Sequence, residues 1–205
     1  GLKEIQNAKK YLEKCLKINE KNHIVLNNLG NIFFREGNTL KAEKFYLKSF
    51  ETKNDYLISI INLAILYQNI GKFDDSKKFY IKAINLSPKQ ISIYYNLSRV
   101  DKDFIDEKKI SYLLDLMKSK KNELLEMSYG FFLLAEYERK KKNFSKEIEY
   151  LKNAHHYLFD SKKKINTQVL SYWKNIIPAK YNKFIFVNEY KKNELSDLKP
   201  IFIVG

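Results

Sequence analysis

Three asparagines recur at matched places in the chain, in Asn28-Leu29-Gly30, Asn62-Leu63-Ala64 and Asn96-Leu97-Ser98, each 34 residues from the next. A carboxamide carries both donor and acceptor groups. A column of such groups could hold the backbone of an extended peptide without reading its side chains. Around them, Asn27 and Asn31 add further amides, and Ile61, Ile65 and Tyr95 supply an apolar floor. A second reading stays open, in which the asparagines only hydrogen-bond neighbouring elements. Other candidate chemistry is thin. His155 and His156 are adjacent, so on a helix they point about 100° apart and cannot pair as ligands one turn apart; they read as surface or partly buried residues. Glu123, Glu126, Glu136 and Glu138 read as helix-surface charge, and Lys140–Lys142 and Lys162–Lys164 as solvated faces. No nucleophile–base constellation or complete phosphate loop is visible. The residues point to binding a partner, with no catalytic group and no metal set.

The elements that must position these side chains are helical. With 44% hydrophobic and 15% aromatic residues among 205, the chain can bury a sizeable core, which argues against disorder. Six Gly and three Pro are too few for a loop-rich all-β fold. The net charge of +14 invites an anionic partner, but Arg35, Arg99 and Arg139 are the only arginines. Arginine is the better reader of phosphate and base edges, so specific nucleic-acid binding is not expected. Cys15 is the only cysteine, which excludes an internal disulfide and a cysteine-based metal cluster. No apolar run approaches the roughly 18 residues of a membrane span, and no signal peptide is visible, so the expected compartment is the cytoplasm. The chain begins at Gly1 without a methionine, and residues preceding it are expected.

Sliding the chain by 34 residues superposes its apolar positions. Leu26, Leu29, Gly30 and Phe33 fall on Ile60, Leu63, Ala64 and Tyr67; Gly37 falls on Gly71, Ala42 on Ser76, Tyr46 on Tyr80, Ser49 on Ala83 and Asn54 on Pro88. The period resembles the tetratricopeptide repeat. Leu26, Leu29 and Phe33 share one helix face. Small residues at 30, 64 and 98 allow two helices to approach closely. Gly37 and Gly71 suit the left-handed turn that ends a helix, and Tyr46 and Tyr80 fill the gap to the next pair.

The fold implied is all-α: a right-handed solenoid of antiparallel helix pairs over residues 1–160. It comprises a half repeat at 1–22, repeats at 23–56 and 57–90, and degenerate repeats at 91–127 and 128–161. In the half repeat, Ala8, Leu12 and Cys15 take second-helix positions, so Cys15 is expected to pack like a buried alanine. Asp101 breaks an aromatic position, and a helix is expected at 107–119. The next pair carries Phe131, Leu134 and Ala135, then Phe144, Leu151 and Ala154, with Glu147 where a small residue belongs. A capping helix is expected within 162–182, carrying Ile165, Val169, Tyr172, Trp173 and Ile176.

In tetratricopeptide proteins the first helix of each pair lines a concave groove, which would place the asparagine column there. The column is similar to the asparagine ladder of O-linked N-acetylglucosamine transferases. Chaperone-tail-binding members instead clamp a terminal carboxylate with basic residues at set groove positions. The residue before each ladder asparagine is Asn27, Ile61 or Tyr95, so that clamp is absent. The implied partner is a protein or peptide; the composition does not indicate an oligomeric state.

After residue 180 the helical pattern lapses. Residues 183–199 read as a linker, and Pro200-Ile201-Phe202-Ile203-Val204-Gly205 reads as a buried strand entering a phosphate loop. Together with the repeats, this run resembles bacterial fusions of tetratricopeptide repeats to a sulfotransferase domain. The resemblance implies a parent protein that uses 3′-phosphoadenosine 5′-phosphosulfate (PAPS), with Gly205 opening the donor loop. The rest of the catalytic domain would lie past residue 205, and the 205 residues themselves would need no cofactor. A free-standing adaptor and a basic polyanion-binding solenoid are the alternatives.

Overall fold

A computed structural model describes residues 2–119, 123–172 and 175. The expected linker at 183–199, the strand-like run at 200–205 with Gly205, and Trp173 and Ile176 of the expected capping helix lie outside the described residues. Ten helices run along the described chain: α1 (Leu2–Ile18), α2 (His23–Arg35), α3 (Thr39–Thr52), α4 (Leu57–Asn69), α5 (Phe73–Leu86), α6 (Ile91–Val100), α7 (Glu107–Ser119), α8 (Leu124–Lys140), α9 (Phe144–Ser161) and α10 (Lys163–Ser171). The chain divides after Ser161 into two units. Helices α1–α9 belong to the first, a helical solenoid in which α2/α3, α4/α5 and α8/α9 are packed pairs; α10 belongs to the second.

The regular pairs are α2/α3 and α4/α5. Asn22 starts α2 by accepting hydrogen bonds from the Ile24 and Val25 amides, and Asn38 starts α3 by accepting from the Lys41 amide, which satisfies donors that a helix leaves open at its first turn. Between the helices of each pair, the chain turns through the left-handed region at Gly37 (φ 76°) and Gly71 (φ 78°). The Asn38 and Lys72 amides then reach back to the Phe33 and Tyr67 carbonyls, both at 2.9 Å, closing the helix end in the six-to-one pattern that such a turn permits. The small residue at position 30 has a steric cause: a Cβ there would lie 2.5 Å from the Tyr46 ring. Phe33, Ala42, Tyr46, Leu63, Leu66 and Tyr67 form one core cluster across these pairs, and Ile60, Ala64, Tyr80, Ala83, Ile93 and Leu97 carry the core on to α6.

Past α5 the pattern changes. Helix α6 has only ten residues and ends at Asp101, whose carboxylate pairs with Lys77 of α5 at 2.6 Å. The Tyr94 and Tyr112 hydroxyls both donate to the Pro88 carbonyl at 2.9 Å, fastening α6 and α7 to the preceding turn. Ile91 and Tyr94 of α6, Ile110, Leu113, Leu116 and Met117 of α7, and Met127, Leu133 and Leu134 of α8 share a single cluster. Gly130 admits the Met117 thioether, which would lie 2.5 Å from a Cβ at that position. At the α8/α9 turn the left-handed residue is Lys142 (φ 60°), and the Asn143 amide closes the same six-to-one bond on the Glu138 carbonyl.

Two expectations about burial are corrected. Cys15 is exposed, as is Ala8. Both stand at positions that face the first helix of a pair, and no described helix lies on that side of α1. Glu126 and Glu136 are half-buried partners of other helices and not simple surface charge.

Candidate functional site

Helices α2, α4 and α8 are the first helices of packed pairs, α6 packs on α5 and α8, and the exposed residues of these four define the candidate groove. Asn62 on α4 donates through Nδ2 to Asn27 Oδ1 (2.9 Å) and Asn31 Oδ1 (3.1 Å) on α2. The Tyr46 hydroxyl adds a third donor to this group at Asn31 Oδ1, 2.8 Å away. Burial pushes the Tyr46 hydroxyl up to about 12, so it remains a donor at neutral pH. Asn27 is 1% exposed, and its Nδ2 finds no partner among the described residues. Its carboxamide joins helices and offers no face to a ligand.

Asn28 and Asn96 differ from Asn27. Both are half-buried, and neither makes a side-chain hydrogen bond among the described residues. Ile61, Ile65 and Tyr95 are likewise half-buried. The amide column therefore divides: Asn62, Asn27 and Asn31 connect α2 to α4, while Asn28 and Asn96 keep their donors and acceptors open. Tyr80 repeats the role of Tyr46 in the next pair by donating to Gln68 Oε1 at 3.0 Å, and burial raises its pKa as well.

Further along, the groove becomes aromatic. Tyr95 stacks on Tyr129 with ring centroids 5.0 Å apart, and Phe132 lies 5.7 Å from Tyr95. His155 meets Phe132 edge-on at 5.2 Å. A cleft of about 330 Å³ opens here, lined by Tyr95, Ser98, Arg99, Phe132, Glu136 and Arg139 among others. The Ser98 hydroxyl donates to Glu136 Oε2 at 3.1 Å. Glu126 of α8 reaches the N-terminus of α6, where its Oε2 accepts from the Ile91 amide (2.5 Å) and the Ser92 amide (3.3 Å). Sequence reasoning missed this cleft. Its signal was the placement of two of the three arginines at 99 and 139.

The remaining candidates stay apart. His156 pairs with Asp160 at 3.5 Å and does not meet His155 in a shared site. No group of His, Cys, Asp and Glu among the described residues could hold a metal ion, and no described helix is long and apolar enough to cross a membrane.

The paired helices, the left-handed turns and the small-residue contacts define a tetratricopeptide-type helical solenoid. Residues 1–22, 24–56 and 59–90 match the tetratricopeptide repeat family model. Over 70 residues the chain is 30% identical to the uncharacterized protein ycf37 of Pyropia yezoensis, a match that spans 32% of this chain and 39% of that relative. Among solved structures, one of MamA superposes with a TM-score of 0.56 at 18% identity, covering 78% of this chain and 91% of that one. The MamA RS-1 ArsTM double mutant also gives 0.56, at 12% identity over 77% and 86% of the two chains. These likenesses establish the fold.

Proposed function

We propose that the groove formed by α2, α4, α6 and α8 holds an extended segment of a partner protein, and that the solenoid is a protein-interaction scaffold. The observation that carries this reading is the pair of half-buried, unpartnered carboxamides, Asn28 and Asn96, on either side of Asn62 along a repeat-built surface. Each can donate to and accept from a peptide backbone, and Ile61, Ile65 and Tyr95 can cover the apolar parts of the segment. Asn28→Ala with Asn96→Ala tests it: a peptide selected on the whole chain should bind about tenfold more weakly to the double variant. Unchanged affinity, with unchanged helicity, would remove the asparagines from the binding surface.

The run Pro200-Ile201-Phe202-Ile203-Val204-Gly205 favours a finer version, in which the solenoid presents an acceptor to a PAPS-dependent sulfotransferase domain. Reading the coding sequence past Gly205 tests it: a basic, hydroxyl-bearing phosphate loop supports this version, and an immediate stop leaves a free-standing adaptor, which suits the same fold equally well.

A further inference from the structure

The geometry points to a carboxylate-binding pocket in the α6/α8/α9 cleft, one that takes an acidic side chain of the bound segment and sets its register along the groove. This inference rests on the groove holding a peptide. The chain has only three arginines, yet Arg99 and Arg139 both line this one cleft, together with Lys102. Neither guanidinium makes an ion pair or a side-chain hydrogen bond among the described residues. Arg99 lies 6.0 Å over the Tyr95 ring, and Phe132 extends the aromatic wall. Near the ring and without a hydrogen-bonded partner, the guanidinium offers a planar fork of donors, a geometry that matches a carboxylate and that lysine does not supply.

The cleft contains its own acids, Glu136 and Glu147, and Glu136 lies 3.1 Å from the Ser98 hydroxyl. Three cations against two carboxylates leave room for one more negative charge, which suits a single carboxylate. The aromatic wall of Tyr95 and Phe132 fits an apolar residue beside that acid. The cleft lies past Asn96 on the same first-helix row, so a segment held by Asn28 and Asn96 runs directly toward it.

The test is selection of random ten-residue peptides on the whole chain, on Arg99→Gln/Arg139→Gln, and on a control with equal loss of charge at exposed sites, Lys44→Gln/Lys152→Gln. The wild type and the control should enrich Asp or Glu at one position. The arginine variant should still select peptides, with acid content at the library background. A peptide from the wild-type selection should bind the arginine variant about tenfold more weakly and the control unchanged. Equal acid enrichment in all three proteins, or an equal loss in the control, would reduce the effect to net charge and overturn the pocket. Peptides selected without any acid would also overturn it while leaving the groove reading intact. Failure of the wild type to select peptides at all would bring down the groove reading itself.

Discussion

Residues 23–90 and residues 91–161 are built from similar helices but solve the same structural problems by different means. In the first region the starts of α2 and α3 are capped locally, by Asn22 and Asn38, while those of α4 and α5 have no side-chain cap; turns are made by Gly37 and Gly71, and neighbouring first helices are joined by an amide network. In the second, the start of α6 is capped by Glu126 from another helix, a lysine occupies the left-handed turn, and α6 meets α8 through stacked rings. The glycine turn is a local solution that repeats with the sequence period. Long-range ones release a region from the period and leave its surface free to diverge, which is where the arginines gather.

The comparison is most severely tested by Tyr46→Ala. It removes a ring that is 2% exposed together with the donor to Asn31, and the expected loss is about 3–5 kcal/mol in urea denaturation. A loss below about 1 kcal/mol would mean that the network does not hold the first region together.

The two close-approach glycines sharpen the contrast. Gly30→Ala drives a methyl into the Tyr46 ring and should cost about 1–3 kcal/mol. Gly130→Ala meets the flexible Met117 thioether, which can move aside, and should cost less. Equal thermal shifts would show that both helix contacts are equally rigid.

Removing the long-range cap by Glu126→Ala should cost about 1–2 kcal/mol, since two half-buried α6 amides lose their acceptor. The effect should appear in hydrogen exchange at Ile91 and Ser92 before it appears in α2. At the turn, Lys142→Gly should stabilise the protein by about 1 kcal/mol, because glycine enters the left-handed region without the Cβ penalty. No gain in melting temperature would mean that the Lys142 side chain compensates for its backbone.

Alkaline pH should weigh on the regular region and its border. Tyr46, Tyr67 and Tyr94 are all pushed up to about 12, first of all by burial. A raised folded pKa contributes stability that is present below about 10 and lost as pH rises through 12. The denaturation midpoint should fall between pH 9 and pH 12, in step with the appearance of tyrosinate absorbance.

Much of this was legible in the sequence because it is periodic. The 34-residue register placed Leu29 and Leu63 in the core, Gly37 and Gly71 at turns, and small residues where helices touch. A helix at 107–119 also followed from the spacing. The asparagines at 28, 62 and 96 were visible as a column, but whether each faced a neighbour or solvent depended on partners from other repeats. Asn62 found two such partners, and Asn28 found none. Cys15 held the right position in the register, but burial depends on a neighbouring helix as well as on register. Allowing for about three extra residues between Asp101 and the helix at 107–119, the same register lands Lys142 on the Gly37 position, so that turn could have been found. Glu126 could not, because nothing near it in the chain indicates that it meets Ile91.

That contact across 35 residues also bears on the order in which the molecule assembles. The starts of α2 and α3 carry their own acceptors, Asn22 and Asn38, and can form as soon as that pair condenses. The start of α6 is complete only when α8 has docked, so the last described part of the solenoid must fold as a block of at least three helices. A chain emerging from the ribosome would consolidate α2–α5 pair by pair, then wait for residue 126 before α6 could be secured.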